Sequence, residues 1–319
     1  MGRKTVSYSK YGYIFSIPFV LAFLVFSLYP ILYTAVIGFT DLRGLGKTAF
    51  RFLDKPFENF QLILHNPSFI KSLQNTALIW IINFIPQIAL ALLLTAWFTN
   101  QRLKIWGQGA FKVMLYMPNI ITAATIAILF NSLFAYPMSP VNYLAIKLGF
   151  AAEPVNFLLQ KWTARGIVAF IQFWMWYGNT MIVLIAGVLG ISPTLFEAAS
   201  IDGASGVQTF FRITLPSLRT ILLYTLITSM IGGLQMFDIP KLFLLGGPDD
   251  ATLTASVFIY NQAFSGSYLY NRAAAASMVM FIIIAVLSAI LFYVMRDKDA
   301  AKLKKAEKAL IKATRRQAA

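Results

Sequence analysis

The sequence SPTLFEAASIDGASGVQTFFRITLP, residues 192–216, is a polar stretch rich in small side chains. It separates two apolar segments that are each long enough to cross a bilayer. Ser192 followed by Pro193 predicts the start of a short helix, with Glu197 near its positive end. A connection of this length between two spans indicates a structure with a role of its own.

The second half of the stretch carries further start and stop signals. Gly203 predicts the C-terminal end of the first helix, and Ser205 can cap a second one. Pro216 is expected to close that second helix. Residues 192–216 are therefore predicted to form a helix-turn-helix that lies outside the membrane.

Composition indicates a membrane protein. Of 319 residues, 58% are hydrophobic and 12% are charged, whereas charged residues make up about a quarter of an ordinary soluble domain. The net charge of +15 comes mainly from the chain ends and particular loops, which indicates membrane topology and anionic lipid in preference to nucleic acid. Cysteine is absent, so disulfides, thiol nucleophiles and cysteine metal sites are excluded.

Six apolar segments approach or exceed the roughly 20 residues that a transmembrane helix needs. They predict an all-α membrane protein in which residues 1–319 form a single transmembrane domain. The first segment follows basic residues but lacks a small-residue cleavage site, so it is interpreted as a retained span. The six segments lie at about residues 13–39, 73–98, 113–135, 166–190, 220–245 and 273–295.

An even number of spans places both termini on the same side of the membrane. Basic residues near the N-terminus, at 102–112 and in the tail at 296–319 indicate that this side is the cytoplasm. The loop at 192–216 follows four spans and lies on the same side. The tail can form a basic amphipathic helix against lipid headgroups, and contact with an ATPase is the alternative.

The loop also carries a family pattern. Its residues are, in order, Glu197-Ala198-Ala199, Asp202-Gly203-Ala204, Phe210, Ile213 and Leu215-Pro216. This order resembles the EAA loop in the permease subunits of binding-protein-dependent ABC importers. Many members of that family have a further proline a few residues after Leu-Pro, whereas this sequence has none between Ser217 and Thr220. The resemblance implies a coupling helix that docks in a cleft of a separate ATPase subunit.

The resemblance extends over nearly the whole chain, to the maltose-type carbohydrate permeases. It is carried by Tyr29-Pro30, residues 38–41, Asn59-Phe60, Phe69, Asn75-Thr76 and Met117-Pro118. It implies a heterodimer with a second homologous permease, two cytoplasmic ABC ATPase subunits, and an extracytoplasmic solute-binding protein that delivers a sugar or oligosaccharide. It also implies import across a bacterial or archaeal cytoplasmic (inner) membrane by alternating access. This chain then binds no cofactor, and the partner ATPase uses ATP and Mg.

The resemblance assigns contact with the ATPase to one group of loop residues. Small side chains permit close approach to a cleft, apolar ones supply contact, and carboxylates cap backbone or meet a basic residue. The group comprises Leu195, Phe196, Glu197, Ala198, Ala199, Asp202, Gly203 and Ala204. The alternative is an amphipathic hairpin at the membrane surface that only connects two spans.

Polar and aromatic residues within the spans predict a substrate cavity. Amides suit sugar hydroxyls, and aromatic faces suit the C–H faces of a pyranose. Aromatics near a span end can instead belong to the headgroup belt, and Asp238 can instead pair with Lys241 near the interface. The candidates are Gln172, Trp174, Gly178, Asn179, Gly233, Gln235 and Asp238.

The sequence contains no recognisable catalytic or nucleotide-binding constellation. Gly46-Lys47-Thr48 is no P-loop, because Asp41 stands where the first glycine is needed and no buried strand precedes it. The single histidine, His65, has no second ligand nearby, so a metal site is not expected. The chain is predicted to be a transport subunit and not an enzyme.

Other functions stay open at this point. An ABC permease for an amino acid or phosphate is the nearest alternative, because the sugar assignment depends on the first span and the external loop. An ATP-independent secondary transporter needs coupling-ion carboxylates within its spans, and Asp238 is the sole candidate. A membrane scaffold without a substrate cavity is the third alternative.

Overall fold

The computed structural model describes residues 9–100, 103, 105–266 and 268–295. Within these ranges the chain is helical apart from turns, loops and one isolated antiparallel bridge between Thr40 and Phe52. The predicted basic tail at 296–319, the basic residues before position 9, and Arg102 and Lys104 all lie outside the described residues.

The α-helices in the described part of the chain are joined by connections that range from single residues to the long loop at 38–57. Two π-helical turns, Leu24–Leu28 and Phe210–Thr214, and a 3-10 turn, Phe157–Leu159, lie among them. The α-helices are α1 Ser9–Phe23, α2 Tyr29–Ile37, α3 Glu58–Leu64, α4 Pro67–Phe98, α5 Gln108–Ile120, α6 Ala123–Phe134, α7 Pro140–Lys147, α8 Lys161–Leu189, α9 Pro193–Ile201, α10 Gly206–Thr209, α11 Leu215–Ser217, α12 Arg219–Leu234, α13 Asp238–Leu244, α14 Ala255–Phe264 and α15 Tyr270–Met295.

Five helical segments of the described chain have the length and apolar character of a membrane span. A sixth is added if one bent pair of helices counts as a single span. The prediction of an all-α membrane fold is therefore confirmed at this level. The five segments are Tyr11–Ile37, Pro67–Phe98, Lys161–Leu189, Arg219–Leu244 and Tyr270–Met295.

The third predicted segment, residues 113–135, differs from a straight span. It is formed by α5 and α6, which meet at an angle of 91°. The break follows from local chemistry, because Ile121 is extended and the Thr122 side chain accepts a hydrogen bond from the Thr125 N–H at 3.3 Å. This threonine cap starts a new helix where hydropathy alone predicts continuity.

The chain divides into two compact units, Met1–Ile70 with Phe258–Ile282, and Lys71–Val257 with Ile283–Ala319. In the first unit a buried asparagine organises the loop after α2. The Nδ2 of Asn59 donates to the carbonyl oxygens of Gly38 and Thr40, both at 2.9 Å. Its Oδ1 accepts from Asn271 Nδ2 at 3.1 Å. A single buried side chain thus fixes the turn that leaves the first apolar segment.

The second unit is built around α8. About 61% of the apolar window of this helix is buried, against 28% or less for the other four candidate spans. One core cluster brings Val168 and Ile171 of α8 together with Ile79, Ile126 and Ile239, all at most 1% exposed. Helix α8 therefore has protein on most sides and positions its neighbours.

A polar brace holds the segment that follows α13. Asn75 of α4 donates to the carbonyl oxygens of Asp250 at 2.6 Å and Leu253 at 3.1 Å. Arg165 of α8 donates from Nε to the Ala251 carbonyl at 2.9 Å and from Nη2 to Asn75 Oδ1 at 2.7 Å. Asn75 is only 1% exposed, so these bonds satisfy groups that water does not reach.

Replacing Arg165 by alanine should destabilise the protein, because it leaves Asn75 Oδ1 and the Ala251 carbonyl without these donors. We expect a loss of about 2–4 kcal/mol, measured as a lower midpoint of thermal unfolding in detergent followed by tryptophan fluorescence. Lys161→Ala is the control, because the Lys161–Asp249 ion pair at 3.3 Å is mostly exposed and should matter little. Equal midpoints for the two variants would contradict a structural role for the brace.

Candidate functional site

The loop at 192–216 begins with α9, and Gly203 ends it as predicted. Gly203 adopts φ +72°, the left-handed conformation that glycine accepts readily after a helix. The Ser192 hydroxyl bonds to the Thr194 hydroxyl at 2.8 Å and does not cap the backbone. Glu197 lies beyond the first turn of α9, so its predicted interaction with the helix N-terminus is weak.

The second helix of the loop starts where the sequence predicts. Ser205 Oγ accepts from the Gln208 N–H at 3.2 Å, and Gln208 Oε1 accepts from the Ser205 N–H at 2.7 Å. This reciprocal pair is a capping box. It satisfies two backbone donors at the start of α10 and fixes the direction in which the chain leaves the Gly203 turn.

The second helix ends close to the predicted Pro216, one residue further on at Ser217. The Leu215 N–H bonds back to the Phe210 carbonyl, which widens the turn before the proline and accommodates its ring. Beyond the proline, the Leu218 N–H bonds to the Thr214 carbonyl at 2.9 Å. The helical path therefore runs from α10 through the widened turn to Ser217 at the end of α11, and one turn residue, Leu218, separates it from α12.

The structure divides the predicted contact residues of the loop between two faces. The outward-facing ones are exposed: Leu195, Glu197, Ala198, Asp202 and Gly203. Ala199 is buried, and Phe196 and Ala204 are half-buried, and the contact of all eight residues with an ATPase stays a prediction.

An apolar residue that the sequence analysis did not single out stands beside the exposed group. Ile201 is 86% exposed at the end of α9, and Leu195 is 47% exposed one and a half turns earlier. The available signal was a large apolar side chain directly before Asp202-Gly203, at the tip of a helix. Exposed apolar side chains at a helix tip suit a protein partner.

Behind α9 lies a cavity of about 250 Å³. Phe196 and Ser200 of α9 face it from one side, and Ala96, Thr99 and Asn100 at the end of α4 face it from the other. The rest of the lining comes from α10 and the residues after it, at Gly206, Thr209, Phe210 and Thr214.

A second, polar cavity of about 130 Å³ lies among α4, α8 and α12. Its lining combines side-chain amides, hydroxyls, one tryptophan and two glycines. Among the described residues, none with a charged side chain contributes to it. The lining residues are Asn83, Gln87, Gln172, Trp176, Asn179, Thr180, Thr228, Ser229, Gly232 and Gly233.

The cavity unites some predicted residues with others that the sequence analysis missed. Gln172, Asn179 and Gly233 were candidates and line it together. Asn83 and Gln87 were missed, although their spacing of four places both on one face of an otherwise apolar helix. The Gln87 amide donates to Thr180 Oγ1 at 2.9 Å, so α4 and α8 are tied together at the cavity wall.

Gly233 permits the close approach of α4 at this wall. A Cβ at this position would lie 2.2 Å from Trp80 Cδ1, so a larger residue displaces the indole. Trp80 Nε1 is buried and has no hydrogen-bond partner among the described residues. The glycine therefore determines the packing of α12 on α4 beside the cavity.

The remaining candidates lie elsewhere in the structure. Trp174 packs into the apolar core and contacts the Phe130 ring at a centroid distance of 6.0 Å. Gln235 ends α12, and its carbonyl accepts from the Ser256 hydroxyl at 3.1 Å. Asp238 is exposed at the start of α13. None of these lines the polar cavity, and their role in substrate binding stays a prediction.

Long apolar helices, a polar cavity among three of them, and an exposed helical loop are the features of a multi-pass membrane transport component. A family model described as binding-protein-dependent transport system inner membrane component matches residues 65–302. The chain belongs to this family, and the predicted resemblance to the permease subunits of binding-protein-dependent importers is thereby confirmed.

Two relatives are similar over almost their full length. One is the lactose transport system permease protein LacF of Rhizobium radiobacter, 33% identical over 91% of this chain and 96% of that protein. The other is the arabinooligosaccharides transport system permease protein AraP of Bacillus subtilis, 32% identical over 91% of this chain and 90% of that protein.

The fold is also similar to that of a chain in a solved structure. This is the crystal structure of a bacterial ABC transporter involved in the import of the acidic polysaccharide alginate. The TM-score is 0.72 with 23% identity, covering 89% of this chain and 94% of that chain. At this level of identity the likeness establishes the fold.

Gly178 has a structural role that can be tested. A Cβ at this position would lie 2.5 Å from the Leu115 carbonyl oxygen and 3.0 Å from Tyr116 Cα, both backbone atoms of α5. Gly178→Ala must therefore push α5 away from α8, and we expect a loss of about 1–3 kcal/mol in thermal unfolding. Gly166→Ala on the same helix is the matched control, because no described atom lies within 4 Å of its Cβ. A midpoint for Gly178→Ala at or above that of the control would contradict the close crossing.

Proposed function

We propose that the chain is the permease subunit of an ATP-driven ABC importer that moves a sugar or oligosaccharide into the cell. The polar cavity among α4, α8 and α12 is the observation that carries the proposal. Its amides and hydroxyls suit a neutral, hydroxyl-rich solute, and Trp176 offers an aromatic face beside them. The relatives named for lactose and arabinooligosaccharides support the same substrate class.

The character of the lining distinguishes this proposal from its alternatives. Phosphate or an amino acid calls for a charged or strongly polarised partner, and the described lining offers only neutral groups. A secondary transporter that couples to an ion needs an intramembrane carboxylate at the site. Asp238, the sole candidate for that role, is not part of the lining.

The size of the cavity favours a shared site. A volume of about 130 Å³ is well below the roughly 300–1,000 Å³ of pockets that bind small molecules. A sugar therefore needs a wider space, which a second, homologous permease facing this one supplies in a heterodimer. In this proposal each subunit contributes one wall, as in transporters built from paired repeats.

In this proposal the loop at 192–216 connects the membrane helices to the subunits that hydrolyse ATP. We propose six membrane crossings with both termini and this loop in the cytoplasm, where α9 contacts one of two ABC ATPase subunits. ATP and Mg are used by those subunits. Closure of the ATPase pair displaces α9, and the adjoining helices tilt so that the cavity alternates between the two sides. A solute-binding protein delivers the sugar from outside.

The contact with the ATPase can be tested through the exposed apolar residues of α9. In the assembled complex, a Leu195→Ser, Ile201→Ser double variant should retain about tenfold less ATPase on affinity purification of the permease, because two apolar side chains no longer enter the interface. Val207→Ser is the control, because Val207 is 69% exposed on the neighbouring α10. If the double variant retains as much ATPase on purification as the unmodified permease, the assignment of α9 as the ATPase contact is contradicted.

The substrate site can be tested with a pair of threonines on α12. Thr228 lines the cavity, whereas Thr225, one turn earlier, is buried and does not line it; both hydroxyls bond to their own helix. We expect Thr228→Val and Asn179→Leu to raise the half-saturating sugar concentration for uptake by about fivefold to tenfold, and Thr225→Val to have little effect.

Uptake by the reconstituted complex is measured with a panel of mono- and oligosaccharides, an amino acid and phosphate. Unchanged half-saturation in both cavity variants would overturn the assignment of the site. Uptake of the amino acid or phosphate in place of every sugar would overturn the substrate class while leaving the ATPase contact intact.

A further inference from the structure

A groove of about 560 Å³ lies within the first unit of the structure. It is formed by the end of α2, the loop at 42–48, helix α14 and the start of α15. Buried side chains of one core cluster, Ile37, Leu42 and Ala274, line its inner side, and the exposed rings of Tyr33 and Phe264 border it. The groove is mainly apolar, and its volume is within the roughly 300–1,000 Å³ of pockets that bind small molecules.

The position of the groove relative to the two neighbouring spans follows from one backbone contact. The Asn271 N–H at the start of α15 donates to the Leu42 carbonyl, just after α2, at 3.0 Å. These helices belong to the candidate spans Tyr11–Ile37 and Tyr270–Met295, so the groove begins where both spans meet water. Along α15 it extends from the first residue to Ser277, about 10 Å into the apolar level of the span.

One charged side chain lies at the loop end of the groove. Of the described residues that line it, Lys47 alone is charged. The loop turns at Gly44, where a Cβ would lie 3.4 Å from Lys47 Cδ, so the aliphatic part of the lysine packs along the turn. A lysine in this arrangement covers apolar surface and keeps its ammonium in water. The sequence Gly46-Lys47-Thr48, which is no P-loop, thus places an ammonium and a hydroxyl beside an apolar groove.

The loop around Lys47 is strongly basic. Residues 43–55 contain Arg43, Lys47, Arg51 and Lys55 against one acidic residue, Asp54. In the proposed topology this loop lies on the outer side of the membrane, where the distribution of basic residues in membrane proteins disfavours them. Attraction to anionic lipid headgroups is a physical reason for basic residues at a membrane surface.

We infer that the groove binds one anionic phospholipid, with its phosphate at Lys47 and an acyl chain against α2, α14 and α15. Each methylene group of the chain that leaves water favours binding, and the ammonium forms a charge-assisted bond to the phosphate. A sugar is unsuited to the mainly apolar lining. An apolar helix of a second permease could fill the deep part of the groove, but it supplies no anion for Lys47. The inference goes beyond the proposed function, because it does not depend on the transported solute.

Photolabelling of the assembled importer in lipid vesicles tests the groove. The probe is phosphatidylglycerol with a photoactivatable group in its acyl chain, added as a minor component to phosphatidylcholine vesicles, and adducts are located by mass spectrometry. We expect adducts on the groove residues of α2 and α15. Lys47→Gln should lower this labelling about fivefold, because one basic side chain near the headgroup is lost. Lys55→Gln is the matched control: it removes the same charge from an exposed position of the same loop, outside the groove lining, and should leave the labelling unchanged.

A second variant tests the apolar part of the groove. Ser277 is half-buried where the groove reaches furthest along α15, and its hydroxyl bonds to the Ala273 carbonyl of its own helix at 2.9 Å. Ser277→Phe should fill this space and lower the labelling by phosphatidylglycerol and by a phosphatidylcholine probe with the same chain. Lys47→Gln should reduce only the labelling by phosphatidylglycerol, and this result decides the question if Ser277→Phe fails to assemble.

Three results would overturn the inference. The first is equal labelling by phosphatidylglycerol in Lys47→Gln and the unmodified importer. The second is the absence of adducts in the groove while they form elsewhere on the spans, which indicates that a protein partner covers it. The third is loss of the groove adducts on addition of free glycerol phosphate, which identifies a soluble anion as the ligand. Failure of the unmodified importer to take up any sugar would overturn the proposed function and leave the lipid site intact.

Discussion

Close packing at the glycines of α8 is the constraint on which the second unit of the structure depends. Helix α8 is largely enclosed by protein, and it reaches its neighbours through glycines at which no Cβ fits: Gly178 against α5 and Gly187 against α12. In a bilayer the lipid tails are as apolar as leucine, so helices associate through close packing more than through the hydrophobic effect. The glycines of α8 therefore determine which helices lie beside it and how near they come.

Polar groups in these apolar helices are placed in two different ways. Most threonine hydroxyls bond to the carbonyl one turn earlier in their own helix, as Thr95 does to Ala91 at 2.7 Å and Thr225 to Ile221 at 2.8 Å. These groups cost little in an apolar setting because the helix satisfies them. The amides of Gln87 and Asn75 instead bond across helices, and they mark the cavity and the brace, respectively. Amides of this kind connect different elements of the unit, as Asn119 also does to the Met175 carbonyl and Asn131 to the Phe243 carbonyl.

Much of the architecture could be predicted from the sequence, because the thickness of the bilayer directly determines how long and how apolar a spanning segment must be. The loop helices were also predictable, since Ser205 and Gly203 act through local chemistry that a few residues encode. The bend between α5 and α6 was not, because its cause is one threonine cap within an apolar run. The second loop helix ends at Ser217, one residue beyond the predicted Pro216, because a widened turn accommodates the proline ring.

The candidate site was predictable only in part, for a related reason. Gln172 and Asn179 were found because they are amides in an otherwise apolar helix. The cavity is formed by three helices, and the sequence alone does not reveal which polar faces of those helices meet. Gly178 and Trp174 stand close to those residues in sequence, yet each points toward a neighbouring helix or core. Rotation around a helix, at about 100° per residue, separates residues that lie next to each other along the chain.

The register of α12 also limits how this protein can change over evolutionary time. Helix α12 runs unbroken from Arg219 to Leu234, so the bond from Arg219 to the Met295 carbonyl and the cavity residue Thr228 share a rotational register as well as a distance. A single residue gained or lost between Arg219 and Thr228 turns one relative to the other by about 100° and removes Thr228 from the cavity. We therefore expect length variation at the Gly203 turn and not within α12.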